Sequence, residues 1–281
     1  MNEGKVTPEL GGVPETLLWP LYNRASEARR ADSVLKDSLA LKLADSIDYP
    51  FEKQFGPPDE AHVLRALRFD DQVRLYLKEF PETTVVALGE GLETQFWRVD
   101  NGRVKWLVVD LPETVKIRRK LLPECDRYRC LSCSALDFRW MDQVDPSRGV
   151  FVTAQGLLMY FEPSEVRDLI ATCAARFPGG RLLFDAIPRW FSESTLRGYQ
   201  KTRAYQTPRM PFGMDVNEIP EIRSFHANIV DVREIDAGRG RSFHFRYKIP
   251  FMKHVPIIRN RRTSFVLVSF GQARQRTAAS A

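Results

Sequence analysis

Residues 83–110, TTVVALGEGLETQFWRVDNGRVKWLVVD, limit the fold more than any other stretch of the chain. Residues 83–88 are β-branched or apolar throughout, the pattern of a strand buried on both faces of a parallel sheet. Gly89-Glu90-Gly91 follows, and two glycines permit positive φ and close approach of a ligand to the backbone. Residues 104–109 read as a second apolar strand, which ends on Asp110. In an open α/β sheet, ligands bind outside the carboxyl ends of the strands, so the turn and Asp110 would share one rim. A carboxylate there can accept from two ribose hydroxyls. The combination points to a nucleoside-bearing ligand.

Position 94 narrows the choice of nucleoside. A dinucleotide site would place a third glycine there, so that a helix N-terminus could meet a pyrophosphate. This chain has Thr94, and Glu90 and Glu93 beside it would repel a pyrophosphate. Two carboxylates suit a ligand that carries a cation and no phosphate, such as S-adenosylmethionine.

LGEGLETQFWRV, followed by VVDLPETVKIRRKLL, resembles the leucine carboxyl methyltransferase family, in particular its polyketide (tetracenomycin-type) O-methyltransferase branch. Gly89, Gly91, Thr94, Arg98, Asp110, Leu111, Pro112 and Lys116 match the family pattern, while Glu93 is one methylene longer than the usual Asp. GVPETLLWPLYNRASEARR and AQGLLMYFEPSEV also match, so the resemblance spans most of residues 12–190. It implies an α/β, Rossmann-like class I methyltransferase: a seven-stranded, mostly parallel sheet with helices on both faces and an N-terminal helical lid. It also implies a cofactor site. Arg65 would pair with the methionine carboxylate, the alternative being an intrahelical ion pair with Asp70 or Asp71. Gly89, Glu90, Gly91 and Thr94 would form the turn, with Asp110 and Leu111 beside the ribose. The loop Ala135-Leu136-Asp137 would hold adenine. Ala135 stands where an acid is usual, leaving the adenine amino group to Asp137 or Ser134. Gln155 stands where the family has a Glu that pairs with the cofactor ammonium. It keeps a hydrogen bond but loses a charge contribution of about 1–2 kcal/mol, for which Glu90 or Glu93 could compensate. Lys36 matches a position near the cofactor carboxylate.

We expect one domain over residues 1–281. It divides into a helical lid (1–58), a cofactor-binding core (59–187), a substrate-binding insertion (188–228), C-terminal strands (229–270) and a tail (271–281). Helices are expected at 14–31, at 32–46 with Asp32 or Ser33 as cap, and at 59–80, 112–122 and 163–177. A proline-containing loop is expected at 49–58. Further strands are expected at 127–133, 149–154, 181–186, 229–235 and 264–270. Residues 1–13 read as a flexible arm, 188–211 as irregular or helical, and the end of the tail as disordered.

The remaining features exclude more than they assign. Hydrophobic residues at 43% and charged residues at 28% belong to a globular protein. No apolar run approaches the roughly 20 residues of a membrane span, and the N-terminus lacks an apolar signal core. A cytoplasmic protein without a membrane partner is the expectation. Cys130 and Cys133 form a CxxC with no second pair at ligand spacing, so we expect reduced thiols and no metal. The net charge of +6 concentrates after residue 238, and no nucleic-acid-binding motif accompanies it. A solvated face, or a field that draws in anionic substrates, is the expected reading. Monomer and homodimer both remain open.

Methyl transfer from a sulfonium is an in-line displacement, for which the protein supplies mainly alignment. A carboxylate acceptor is already ionised at pH 7 and needs only an anchor that leaves one oxygen free. Tyr22, Arg24 and Arg189 are candidate anchors; Tyr160 either lines the reacting site or packs. A phenol acceptor would need a base. His226 lies where one could be supplied, whereas His244, in the alternating run SFHFRY, reads as structural. No obligatory base is evident, which favours a carboxyl of a small aromatic or polyketide-type acid over a phenol. A non-catalytic nucleoside-binding protein is a third reading, motivated by Gln155 and Ala135.

Overall fold

The computed structural model describes residues 5–8, 10–123, 125–256 and 258–272. Seven strands form one sheet: β1 (Thr84–Leu88), β2 (Lys105–Asp110), β3 (Tyr128–Ser132), β4 (Val150–Ala154), β5 (Arg181–Ala186), β6 (Ile229–Ile235) and β7 (Ser264–Phe270). Their order is β3-β2-β1-β4-β5-β7-β6. The first five are parallel, and β7 runs antiparallel between β5 and β6. The order reverses between β1 and β4, so a crevice opens at their carboxyl ends. Leu88 is in register with both Val109 and Ala154, which brings Gly89, Asp110 and Gln155 to one rim.

Side chains alternate across the sheet, and this alternation builds two cores. Val86, Leu88, Val109 and Val152 pack against Val166, Leu169 and Ile170 of a helix at Pro163–Arg176. Val85, Ala87, Trp106 and Phe151 pack on the other face against Phe69, Val73 and Tyr76 of a helix at Ala61–Glu79. The elements used below are α1 (Leu18–Ala28), α2 (Ser38–Ser46), α3 (Phe51–Phe55), α4 (Ala61–Glu79), α5 (Gln95–Val99), α6 (Pro112–Leu121), α7 (Pro163–Arg176) and α8 (Arg189–Leu196). The sheet is thus seven-stranded and mostly parallel, covered by helices on both faces, as expected.

Three local expectations are corrected. First, α2 begins at Ser38, not near residue 32, and Asp37 caps it by accepting from Ala40 N. The preceding residues turn instead, because Glu27 captures Val34 N and Ser33 Oγ donates to Leu35 O. Second, the loop expected at 49–58 contains α3, which buries Phe55 and stops at Gly56, where φ is +77°. Third, His244, expected to be structural, is exposed, in a wide helical turn at His244–Lys248 that runs into a helix at Ile249–Met252. Within the expected flexible arm, Val6 bonds both Ser46 O and Asp48 N. Residues 1–4 of that arm and 273–281 of the tail lie outside the described residues.

Candidate active site

The rim opens into one cavity of about 450 Å³, roofed by residues 13–20 of the N-terminal segment and walled on its far side by residues from 187–210. At its inner end lies the glycine turn. Gly89 and Gly91 have φ of +57° and +58°. A Cβ on Gly89 would stand 2.6 Å from Leu157 Cδ1, and one on Gly91 2.9 Å from Leu17 Cβ. Glycine is therefore required on both conformational and steric grounds. Asp110 closes β2 beside the turn. Its two oxygens accept from Gly91 N and Leu111 N, both at 2.8 Å, which leaves lone pairs for hydroxyls. Burial pushes its pKa up, against the pull of those two N–H groups.

The two glutamates of the turn face inward to different partners. Glu90 accepts from Trp106 Nε1 at 3.0 Å and from Arg118 Nη2 of α6 at 2.7 Å. Burial outweighs Arg118 and raises its pKa to about 7. Glu93 accepts from Arg24 at 2.5 Å, Arg98 at 2.6 Å and Thr94 N at 2.8 Å through Oε1. Its Oε2 accepts from Gln155 Nε2 at 3.0 Å. Burial alone would raise the Glu93 pKa, but Arg24 and Arg98 prevail and hold it well below the usual carboxylate range. Arg98 also grips Asp70 through two parallel bonds of 2.8 and 2.9 Å and donates to Asp37 at 2.8 Å. The N-terminal segment (Arg24, Asp37), α4 (Asp70) and α5 (Arg98) are thus pinned to the turn by one buried ionic network.

Several expected site residues lie elsewhere. Arg24 touches the cavity but is 1% exposed, and its terminal nitrogens are taken by Glu93, Asp37, Thr94 Oγ1 and Leu92 O. These contacts tie α1 to the glycine turn. Thr94 is fully buried and outside the cavity lining; its hydroxyl donates to Asp37. Tyr22 stacks on Phe51, ring centroids 5.5 Å apart, and does not line the cavity. Arg189 points outward to Glu218. Leu136 and Asp137 also lie outside the lining, because Asp137 caps the turn at Phe138–Gln143 and binds Arg139. Lys36 is exposed and away from the cavity, and His226 Nδ1 is taken by Asn228 N.

Arg65, Gly89, Glu90, Gly91, Glu93, Asp110, Leu111, Ala135, Gln155 and Tyr160 do line the cavity, together with Ser134. Arg65 bonds neither Asp70 nor Asp71; its Nη1 donates to Asp185 at 3.1 Å, and Asp185 also accepts from Gly156 N at 2.6 Å. The sequence reading missed Asp185, although its place at the carboxyl end of β5 is a usable signal. It also missed His62, Trp19, Tyr205 and Lys201, which no periodicity marks. Among the described residues, no group of three His, Cys, Asp or Glu side chains could hold a metal ion. No helix among them is long and apolar enough to cross a membrane.

The rim fits S-adenosylmethionine. Asp110 retains acceptor capacity beside the glycine turn, and Gln155 Oε1 is a buried acceptor with no partner among the described residues. An ammonium can satisfy that oxygen, and Arg65 can meet a carboxylate. The sequence profile of leucine carboxyl methyltransferase matches residues 18–174. The tetracenomycin polyketide synthesis O-methyltransferase TcmP of Streptomyces glaucescens is 30% identical over 221 residues, 78% of this chain and 80% of that protein. The S-adenosyl-L-methionine-dependent methyltransferase dpfgK of Gibberella zeae is 27% identical over 209 residues, 66% of this chain and 69% of that protein. An O-methyltransferase family protein from Burkholderia thailandensis, of known structure, is 17% identical. That match covers 96% of this chain and 76% of that one, with a TM-score of 0.44. With the profile matching more than half of the chain and TcmP 30% identical over 78% of it, the chain belongs to the leucine carboxyl methyltransferase family and is an S-adenosylmethionine-dependent O-methyltransferase.

Proposed function

We propose that the enzyme methylates a carboxylate of a planar, polyketide-type aromatic acid, giving a methyl ester. The observation that carries this reading is the chemistry of the cavity beyond the rim. It is aromatic and apolar, with Trp19, Tyr160, Phe191, Tyr199, Tyr205 and Met210 on its walls. Every carboxylate that borders it among the described residues is engaged: Glu90 with Arg118, Glu93 with Arg24 and Arg98, Asp185 with Arg65, Asp110 with two backbone N–H groups, and Asp59 with Ala61 N. Burial raises the Tyr160 pKa, so its phenol is no base at neutral pH. Glu90, whose pKa is raised to about 7, has one oxygen on Trp106 Nε1 and the other on Arg118 Nη2, so a phenol acceptor would have to displace one of them to be deprotonated, whereas a carboxylate arrives ionised.

The bound cofactor supplies an electrophilic methyl group on a sulfonium. The protein's part is to hold the rim rigid and the chamber dry, so that one acceptor oxygen lies in line. The likeness to TcmP supports a polyketide-type acceptor. Incubation with radiolabelled S-adenosylmethionine and matched aromatic acids and phenols tests the reading. Label in a product that mild alkali releases as methanol is the expected result. An alkali-stable aryl ether would overturn it.

A further inference from the structure

Resting on that reading, we infer that Lys201 and His62 form the site that holds the acceptor carboxylate, with Trp19 as the surface against which both are set. Both residues line the cavity, and both lie against the same indole. Lys201 Nζ stands 4.8 Å from the Trp19 ring centroid. The His62 ring meets Trp19 edge-on, with centroids 5.1 Å apart. Lys201 has no carboxylate partner among the described residues, which sets it apart from Arg24, Arg65, Arg98 and Arg118. A cation–π contact with Trp19 fixes the ammonium in place without neutralising it.

His62 is prepared as a donor. Asn23 Oδ1 accepts from Asp59 N, which turns its amide NH2 toward His62 Nδ1 at 2.7 Å. Nδ1 is then an acceptor, so the proton of the neutral ring sits on Nε2. Burial, with the nearby cations Arg65, Arg24 and Lys201 adding to it, holds the imidazole pKa well below its usual value. The ring therefore presents an N–H and cannot take a proton from the acceptor. One fixed charge and one neutral donor match a carboxylate whose second oxygen must stay free. That oxygen's lone pair forms the bond to the methyl carbon as the carbon–sulfur bond breaks and its pair goes to sulfur. The anion and the sulfonium neutralise one another, and no proton moves. Trp19 and Tyr205 meet edge to face, ring centroids 6.4 Å apart, and form one aromatic wall for the acceptor's body.

Calorimetry with 2-naphthoate and an anthraquinone carboxylate, each beside its carboxamide and in the presence of S-adenosylhomocysteine, tests this assignment. In the unaltered protein the acids should bind at least tenfold tighter than the amides. Lys201→Met should weaken the acids by about ten- to a hundredfold and leave the amides unmoved. Lys201→Arg should restore most of the loss. His62→Phe, which keeps the ring against Trp19, should cost the acids about tenfold. Each variant should bind S-adenosylhomocysteine as the parent does, showing that it is folded. Acid binding unchanged in Lys201→Met, or acids and amides falling together, overturns the assignment. If acids are methylated and the variants still bind them normally, only the anchor fails. If the parent methylates phenols and binds no acid, the proposed reaction fails and takes the anchor with it.

Discussion

Gln155→Glu restores the acid usual in the family, and the structure predicts that it harms this chain. Gln155 Nε2 lies 3.0 Å from Glu93 Oε2. The substitution replaces a hydrogen bond with two buried anionic oxygens at that separation, a repulsion of about 5 kcal/mol at an effective dielectric constant near 20. Protonating one of the pair limits the cost. At pH 7.5 neutralising an ordinary carboxyl takes about 4 kcal/mol, at about 1.4 kcal/mol per pH unit. We expect Gln155→Glu to lose about 2–4 kcal/mol of unfolding free energy at pH 7.5. The pair's folded-state pKa is raised above its unfolded value, so the folded protein binds the extra proton and the loss shrinks as pH falls. Near pH 5.5 it should be smaller by about 2–3 kcal/mol. Glu93→Gln combined with Gln155→Glu should be less destabilised than the two single changes summed. Urea denaturation at the two pH values, with calorimetry of S-adenosylmethionine binding, provides the measurement. A Gln155→Glu protein as stable as the parent at pH 7.5 and tighter for the cofactor would refute the reasoning.

Three further outcomes are expected. Asp110→Ala should weaken S-adenosylhomocysteine binding at least about tenfold, through loss of a charged acceptor for the ribose hydroxyls; unchanged binding by calorimetry removes Asp110 from that role. Gly91→Ala should cost about 1–2 kcal/mol from its positive φ, and more from the 2.9 Å approach to Leu17. A parent-like melting temperature would contradict it. Arg24→Met should cost about 3–5 kcal/mol, because Glu93 and Asp37 lose a buried counterion. A variant of parental stability that failed only to bind acids would reinstate Arg24 as a substrate anchor.

The sheet and its rim were legible because their signals are local. A β-branched run before Gly89 and another before Asp110 fix two strands, and the strand-end rule places their termini together. Other expected site residues turn away from the cavity through tertiary pairing. Thr94, expected in the cofactor turn, and Arg24, expected as a substrate anchor, are both drawn inward by Asp37, which caps α2 in place of residue 32 or 33. Of the two residues expected at the adenine amino group, Asp137 is held at the surface by Arg139 two residues on, while Ser134 lines the cavity. The acceptor chamber was illegible for a different reason. His62, Trp19 and Lys201 come from three separated segments, and nothing in their neighbours' spacing announces that the chain brings them together.

The attachment of α1 to the glycine turn bears on how small molecules come and go. Arg24 holds Leu92 O at 2.8 Å and Glu93 at 2.5 Å, so lifting that helix would break a buried ion pair and leave Glu93 with Arg98 alone. The roof is therefore the stationary side of the entrance. The opposite side, residues 199–207, is held to α3 by a bond from Thr202 Oγ1 to Gln54 O and by ring contacts of Tyr205 with Phe55, and to the roof by Lys201 and Tyr205 against Trp19. Those attachments part at far lower cost than buried ions, which makes this stretch the yielding side, and it carries Lys201 with it. Admission of the acceptor and the setting of its anchoring charge are then one movement.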